Sequence, residues 1–402
     1  MIIGAGGDPK ILCPSDSSSE GFFVGTCLNF CRILLCYSYF LSPYPMPVGS
    51  IPLALTFDDV LLIPQESRVS PSGADVHSYA ARGLSIDVPI LSAAMDTVTG
   101  AGLAAALARA GGLGVIHRNC SISDQVAMLK EAIAHAGGKP VAAAVGPRDI
   151  DRAVALDRAG AAAVVFDSAH IHKPELITAI RAARRRIKAK LIIGNVVTVQ
   201  AAKAFLAVAD GLKVGVGPGS ICTTRVVAGV GVPQLTAIMD VVKVAKTKRI
   251  PVIADGGIRY SGDVVKALAA GASAVMLGGM LAGTDEAPGE VVTIDGKPYK
   301  AYRGMGSLGA MEIGNSSDRY FQSGAKKYVP EGVEATVPYR GKLADVLYQM
   351  VGGLRSGMGY VGAKDIAALQ KNARFIHITS AGRIESHPHT LHAMQDAPNY
   401  SS

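Results

Sequence analysis

Residues 251–279, PVIADGGIRYSGDVVKALAAGASAVMLGG, contain one full repeat of the pattern that decides the fold. Pro251 to Ala254 is a short apolar run closed by Asp255-Gly256-Gly257; Gly262 to Ala270 has the spacing of an amphipathic helix; Ala274 to Leu277 is a second apolar run, closed by Gly278-Gly279. Runs of this length bounded by glycine read as buried strands, and the helix between them makes a βα unit. The alternation extends back to Leu84. Further candidate strands are Val88 to Ser92, Gly114 to Ile116, Val141 to Val145, Ala163 to Phe166, Leu191 to Gly194 and Leu212 to Val216, which brings the count to eight. Helix-like, Ala-rich stretches such as Gly102 to Arg109, Pro174 to Lys188 and Gln234 to Lys246 separate them. Eight successive units of this size fit a closed α/β barrel, the (β/α)8 TIM barrel, better than an open sheet, which needs a reversal of strand order that nothing in the sequence marks.

With 402 residues, 49% of them hydrophobic and 18% charged, the chain can build one large α/β domain or two smaller ones. A 5% aromatic share without Trp, alongside 46 glycines, suits helices packed closely on a parallel sheet. The formal charge of +8 favours acidic or phosphorylated partners. Lys and Arg are nevertheless dispersed, apart from Arg184-Arg185-Arg186, which reads as the solvated face of a helix and not as a nucleic-acid signature.

Residues 1–45 differ from the rest. Phe22 to Leu41 approaches the ~20 apolar residues that cross a bilayer, but Gly25, Asn29 and Arg32 interrupt it. A membrane anchor, a cleaved targeting segment and translated sequence upstream of the true start compete; the last fits best, because Met46-Pro-Val-Gly opens a conventional globular pattern. Four cysteines fall here, Cys13 ahead of the apolar stretch and Cys27, Cys31 and Cys36 within it, and the spacing of the last three is a poor zinc pattern. Beyond Met46 only Cys120 and Cys222 remain, which points to a reducing, cytoplasmic setting without a disulfide framework.

In barrels the chemistry sits on loops at the carboxyl ends of the strands. Here those loops read Ala93-Ala94-Met95-Asp96-Thr97, Asp167-Ser168-Ala169-His170, Asn195, Gly215-Val-Gly-Pro-Gly-Ser-Ile-Cys-Thr-Thr-Arg225, Asp255-Gly256-Gly257 and Gly278-Gly279. A single Asp at such a place usually caps a helix; six polar endings on one rim point to a site. The cysteine loop can wrap a small anion and present Cys222 as a thiolate nucleophile, and an inert buried cysteine fits poorly among Ser, Thr and Gly. The two glycine pairs follow the seventh and eighth runs, where barrels bind phosphate through backbone N–H groups, so with Ser220 they would anchor a phosphorylated substrate near Cys222. Asp285 to Arg340, rich in Gly, Ser and charge, is too long for a passive loop and reads as a functional lid.

These motifs carry a resemblance. The cysteine loop, Thr56-Phe57-Asp58-Asp59-Val60-Leu61-Leu62, Ser92-Ala93-Ala94-Met95-Asp96, Gly194-Asn195-Val196, Ala254-Asp255-Gly256-Gly257-Ile258, Tyr302-Arg303-Gly304-Met305-Gly306-Ser307 and Asp318-Arg319-Tyr320-Phe321 occur in the order found in inosine 5'-monophosphate (IMP) dehydrogenases, and the chain resembles that family from about Leu55 to Tyr400. The resemblance implies oxidation of IMP to xanthosine 5'-monophosphate (XMP) with NAD, the committed step toward guanine nucleotides, through a covalent adduct on Cys222 that is then hydrolysed. It implies Arg319 and Tyr320 of a mobile flap at about 285–340 as the hydrolytic pair, with Thr224 and Glu331 on an auxiliary proton path. An ordinary role for Arg319 would be an ion pair with Asp318 or Glu312. For the substrate it implies Asp255 at the ribose, Ser220, Gly257, Gly278, Gly279 and Tyr302 at the phosphate, and Met305, Gly306 and Glu331 at the base. Asp167, Ser168, Asn195, Gly215 and Gly217 are implied on the NAD side, at the barrel mouth, since no Gly-x-Gly-x-x-Gly opens a βα unit.

Potassium is implied at the carbonyls of Gly217, Gly219 and Cys222, completed by Glu385, Ser386 and His387 in a tail at about 380–402 of a neighbouring subunit of a homotetramer. Glu385-Ser-His-Pro-His389 offers histidines that zinc could use, but the matching family segment is a cation-binding tail. The expected layout is therefore an extension over 1–45 and a single catalytic barrel over 46–402. Three departures from the family stand out. Asn119 to Asp124 runs straight into a helix-like stretch ending near Gly138, so the pair of nucleotide-sensing CBS modules is missing near 119–138, and allosteric control through it is expected to be absent. Gly279 stands where relatives commonly have Ser, and Ile171 where Gly is usual. The nearest rival is GMP reductase, which shares the cysteine loop and uses NADPH; Asp318-Arg319-Tyr320-Phe321 and Gly352-Gly353-Leu354-Arg355-Ser356-Gly357-Met358-Gly359 favour the dehydrogenase. A non-catalytic scaffold or single-stranded nucleic-acid binder is the remaining alternative, and it lacks the aromatic residues among basic ones that stacking needs.

Overall fold

The computed structural model describes residues 51–313, 316–391, 397 and 399–400. The expected extension over 1–45, with its apolar stretch and four cysteines, lies outside the described residues. The unit spanning Ala54–Ser402 holds the fold.

Eight strands form a single parallel sheet: β1 (Ile90–Ser92), β2 (Val115–Ile116), β3 (Ala142–Val145), β4 (Ala163–Asp167), β5 (Lys190–Val196), β6 (Gly211–Val214), β7 (Val252–Asp255) and β8 (Ala274–Leu277). From β2 to β8 each strand pairs with its successor, and β8 returns to β1 with Val275 opposite Ile90. The ring closes where Leu91 forms a parallel bridge with Leu113, just ahead of β2. All eight expected strands are present, and the TIM barrel stands.

Alternation along the strands divides the core into two layers. Ala142, Ala144, Ala163, Val165, Ile192 and Ile253 point into the barrel, whereas Ala143, Val145, Val164, Phe166, Leu191 and Ile193 pack under the helices. A hairpin, Ser78–Ala81 with Leu84–Ile86, adds Ala80, Ala81 and Ile86 to the inner layer. Gly83 makes its turn at φ +72. Arg82 ties the hairpin to the start of β6 by donating to the carbonyl of Ala209 at 2.9 Å.

Some helices begin at side-chain caps. Ser121 accepts the N–H of Asp124 at 3.1 Å and starts the helix Ile122–His135 directly after the short loop from β2. Asp149 likewise caps Ile150–Arg158. The arginine run differs from expectation. Its helix, Pro174–Arg184, ends at the first of the three, whose guanidinium is held by Asp210 at 2.9 Å, while Arg186 reaches Asp151 at 3.2 Å. These arginines therefore close a helix end by pairing with acids, instead of covering one solvated face.

The long segment after β8 has structure of its own. Val291–Ile294, Lys297–Arg303 and Glu334–Pro338 form a three-stranded antiparallel sheet, with Asp295 and Gly296 both at positive φ in the first turn. After it, Leu343–Tyr360 packs on the barrel, and Phe375–His377 pairs antiparallel with Val60–Leu62. Among the described residues no helix is long and apolar enough to cross a membrane.

Candidate active site

A cleft of about 950 Å³, including its open mouth, lies at the carboxyl ends of the strands. Its walls come from the loops after β1, β4, β5, β6, β7 and β8 and from the segment after β8, as expected of this fold.

The cysteine loop follows β6. Gly215 takes φ +149, and a Cβ on it would fall 2.2 Å from the carbonyl oxygen of Asp255, so the loop can leave the strand only with glycine there. Cys222 is a free, half-buried thiol whose Sγ donates to Thr224 Oγ1 at 3.2 Å. The loop is joined to the returning end of the post-β8 segment: Cys222 bridges Gly332, the N–H of Thr223 donates to Glu331 at 3.0 Å, and that of Val333 to Ile221 at 3.0 Å. Glu331 N–H donates in turn to Gly306 at 3.0 Å, so Cys222, Glu331, Met305 and Gly306 form one patch.

Beside this patch lies a charge network that the sequence reading missed. Lys213, inward-facing on β6 and only 2% exposed, reaches Asp167 Oδ1 at 3.0 Å and also contacts Asp255 and Asn195. Asn195 sits at the register shift of β5 and donates to Asp255 at 3.0 Å and to the carbonyl of Gly215 at 2.6 Å. Arg319 completes the cluster by pairing with Asp167. Two carboxylates thus face two cations, the balance that burial of charge requires. Arg319 does not pair with Asp318 or Glu312: Asp318 is held by Arg118 at 2.6 Å. Burial, with a contribution from Arg118, pushes the Arg319 guanidinium down, and Tyr320 partly offsets it. Burial pushes the Tyr320 phenol up, and its ring lies over Gly306, where a Cβ would come within 2.7 Å of Cζ.

The expected phosphate residues converge at the other side. Tyr302 is buried, which pushes its phenol up to about 12, while hydrogen bonds with Ser220 and Gly279 pull the other way. A Cβ on Gly278 would fall 2.7 Å from the Tyr302 hydroxyl, and one on Gly279 would sit 3.3 Å from the ring and 3.7 Å from Ser220 Oγ. Gly257 lies behind, against Pro218. Of the residues expected on the NAD side, Asp167, Asn195, Gly215 and Gly217 line the cleft. Ser168 is fully buried behind them, with its hydroxyl lacking a partner.

The tail is not brought to the cleft. Ser386 hydroxyl donates to Gly382 at 2.7 Å, and His387 packs against Tyr260 and Tyr400. Within one chain Glu385, Ser386 and His387 therefore do not share a wall with Gly217, Gly219 and Cys222. Among the described residues no three His, Cys, Asp or Glu side chains cluster as a metal site.

A family model described as the IMP dehydrogenase / GMP reductase domain matches residues 54–389. The inosine-5'-monophosphate dehydrogenase of Aquifex aeolicus is 42% identical over 476 aligned positions, covering 86% of this chain and 97% of the relative. That of Methanocaldococcus jannaschii is 41% identical over 482, with 86% and 97% covered, and that of Halobacterium salinarum 40% identical over 480, with 87% and 96% covered. The alignments are longer than this chain's 402 residues, so each relative carries a stretch without a counterpart here, consistent with the missing CBS pair. The chain therefore belongs to the IMP dehydrogenase / GMP reductase family, among its inosine-5'-monophosphate dehydrogenases.

Proposed function

We propose that this chain oxidises IMP to XMP in two stages at one cleft, with Cys222 as the covalent nucleophile. The observation that carries the reading is the joining of the Cys222 loop to Glu331 and Gly332 in the same cleft as Arg319, Tyr320, Gly278 and Tyr302, the last hydrogen-bonded to Ser220. The cradle holds the phosphate, with Gly257 and Gly279 behind it; Asp255 accepts from the ribose, and Met305, Gly306 and Glu331 meet the base. Asp255 is already oriented by Asn195 and Lys213, so it needs no rearrangement to bind.

Cys222 Sγ adds to C2 of the purine as the hydrogen on that carbon departs with its electron pair; water then adds to the same carbon, the C–S bond breaks, and the thiol is restored. NAD, when bound, accepts that hydride. The chain suits it at Asp167, Asn195, Gly215 and Gly217, where a glycine-lined wall lets a flat ring approach, while Ser168, buried behind that wall, would act only through the residues in front of it. Arg319 and Tyr320, on the flap, take up the proton from water in the second stage. Burial lowers the proton affinity of Arg319, the direction a base requires, and the ion pair with Asp167 that favours the cation has to open for it to act. Thr224 and Glu331 offer the second proton path beside Cys222.

The carbonyls of Gly217, Gly219 and Cys222 supply part of an oxygen shell for potassium. Since His387 packs on Tyr260 and Ser386 bonds to Gly382 in their own chain, the part of Glu385, Ser386 and His387 in such a shell belongs to a neighbouring subunit, and the active unit is an oligomer, the homotetramer that the resemblance implies. The test follows NADH by its near-ultraviolet absorbance with IMP, NAD and potassium. NADH formation that falls by at least about 10⁴-fold in Cys222→Ala is expected. NADPH consumption with GMP would move the assignment to the reductase, and silence in both assays would remove it.

A further inference from the structure

Of the four consecutive residues Asp318 to Phe321, Asp318, Arg319 and Phe321 meet the barrel rim and Tyr320 lies over Gly306, and the two outer contacts lie away from the reacting groups. Arg118 Nη2 donates to Asp318 Oδ1 at 2.6 Å. The Arg118 side chain is 6% exposed, and that of Asp318 37%, so the cation is rooted in the barrel and the acid is the removable half. At the far end the Lys173 ammonium stands 3.1 Å from the centroid of the Phe321 ring. Phe321 takes the left-handed conformation at φ +59, which turns the chain immediately after Tyr320.

Arg118 is itself well fixed. The N–H of His117 donates to Thr99 at 3.2 Å. Asn119 donates to Asp96 at 2.6 Å, and Asp96 also holds Arg303. Hydrogen bonds from Arg303 and Asn119 keep the Asp96 carboxyl below its usual range despite burial. Gly146, after β3, leaves space for the pair: a Cβ there would sit 2.6 Å from Asp318 Oδ2 and 3.3 Å from Arg118 Nη1. The loops after β2, β3 and β4 thus form a seat whose charges match the segment residue by residue, Arg118 to Asp318 and Asp167 to Arg319.

We propose that Arg118 is a positioning residue for the second stage of the reaction, acting through Asp318 to hold Arg319 and Tyr320 over the cleft, with Lys173 on Phe321 as the second clamp. The proposal rests on the dehydrogenase reading above. It separates the two stages. Cys222 and the substrate cradle do not touch Arg118 or Asp318, and the seated Arg319 side chain meets only Asp167 on the NAD side, so at saturating NAD the first turnover of NADH does not depend on the clamp, whereas hydrolysis needs the segment seated. Loss of a charge-assisted hydrogen bond shifts a two-state equilibrium by about tenfold.

The experiment is rapid-mixing kinetics of the full chain with IMP, NAD and potassium, comparing the first-turnover rate of NADH formation with the steady-state rate. Arg118→Gln and Asp318→Asn should leave the first turnover within about twofold, lower the steady rate about tenfold and raise the burst amplitude as adduct accumulates. The double variant should be no worse than either single one, because both remove the same interaction. Lys173→Met should act in the same direction by about threefold. Asp318→Asn is nearly isosteric at the exposed half of the pair, so its result stands even where Arg118→Gln lowers folding yield. Equal loss in both phases, unchanged steady rates or additive single effects would each overturn the clamp. A parent protein that forms no NADH in the first turnover would overturn the dehydrogenase reading, and this inference with it; a normal burst with unaltered partition defeats the clamp alone.

Discussion

At their amino ends the eight strands close on Ala80, Ala81 and Ile86 of a hairpin; at their carboxyl ends they close around Lys213, Asp167, Asp255 and Arg319. The lower closure needs only shape, because small apolar groups fill space and leave no polar atom unsatisfied. The upper one needs each charge matched, since a buried ion without a partner costs several kcal/mol. One barrel therefore has a floor whose changes should be felt as stability and a rim whose changes should be felt as chemistry as well. Lys213 belongs to the strand by position and to the rim by contact.

The strongest way to break this comparison is Lys213→Met. It leaves Asp167 and Asp255 facing Arg319 alone, and we expect about 3–5 kcal/mol of lost stability in denaturant unfolding together with a kcat/KM for IMP lowered by about 100-fold. A variant that loses stability with kcat/KM intact would reassign Lys213 to the floor. Gly211→Ala probes the floor itself. The new Cβ would meet the carbonyl oxygen of Ala80 at 2.8 Å, so unfolding should become easier by about 1–3 kcal/mol while KM for IMP stays unchanged; a raised KM would show that the hairpin reaches the rim. The smallest expected effect is at Gly279→Ser, where the added Cβ comes within 3.3 Å of the Tyr302 ring, a tight contact that a shift of a few tenths of an ångström relieves. Titration of initial rates with IMP should show KM lowered about threefold by one more hydroxyl at the phosphate, and a raised KM would place the anion elsewhere.

The barrel was legible because each strand is a short apolar run between glycines and polar residues, and the cleft because its loops follow those runs. The hairpin floor was not, since Ser78–Ala81 and Leu84–Ile86 are too short and too rich in alanine to show a period. The sheet after β8 did carry a signal that went unread: Asp295-Gly296 between Val291–Ile294 and Lys297–Arg303 is a hairpin turn by its residue types alone. Lys213 carried one too, a charge on the inward side of a strand flanked by Leu212 and Val214, which demands a buried counter-charge. Which acids answer it, and that Arg118 rather than Arg319 pairs with Asp318, depends on side chains from distant loops meeting in space. The individual roles at the cleft rest on the resemblance and on the geometry together.

The pairing of β1 with β8, and of Val60–Leu62 with Phe375–His377, ties early parts of the chain to late ones. During synthesis β1 leaves the ribosome with one edge bare until residues 274–277 follow, and the segment at 60–62 waits until 375–377 have emerged. Contacts this distant along the chain make folding slow, and an unpaired strand edge invites foreign strands while it waits. The closed ring that gives the finished enzyme its rigid rim thus leaves the nascent chain exposed for most of its translation, and chaperone supply should govern yield more strongly than the stability of the finished barrel.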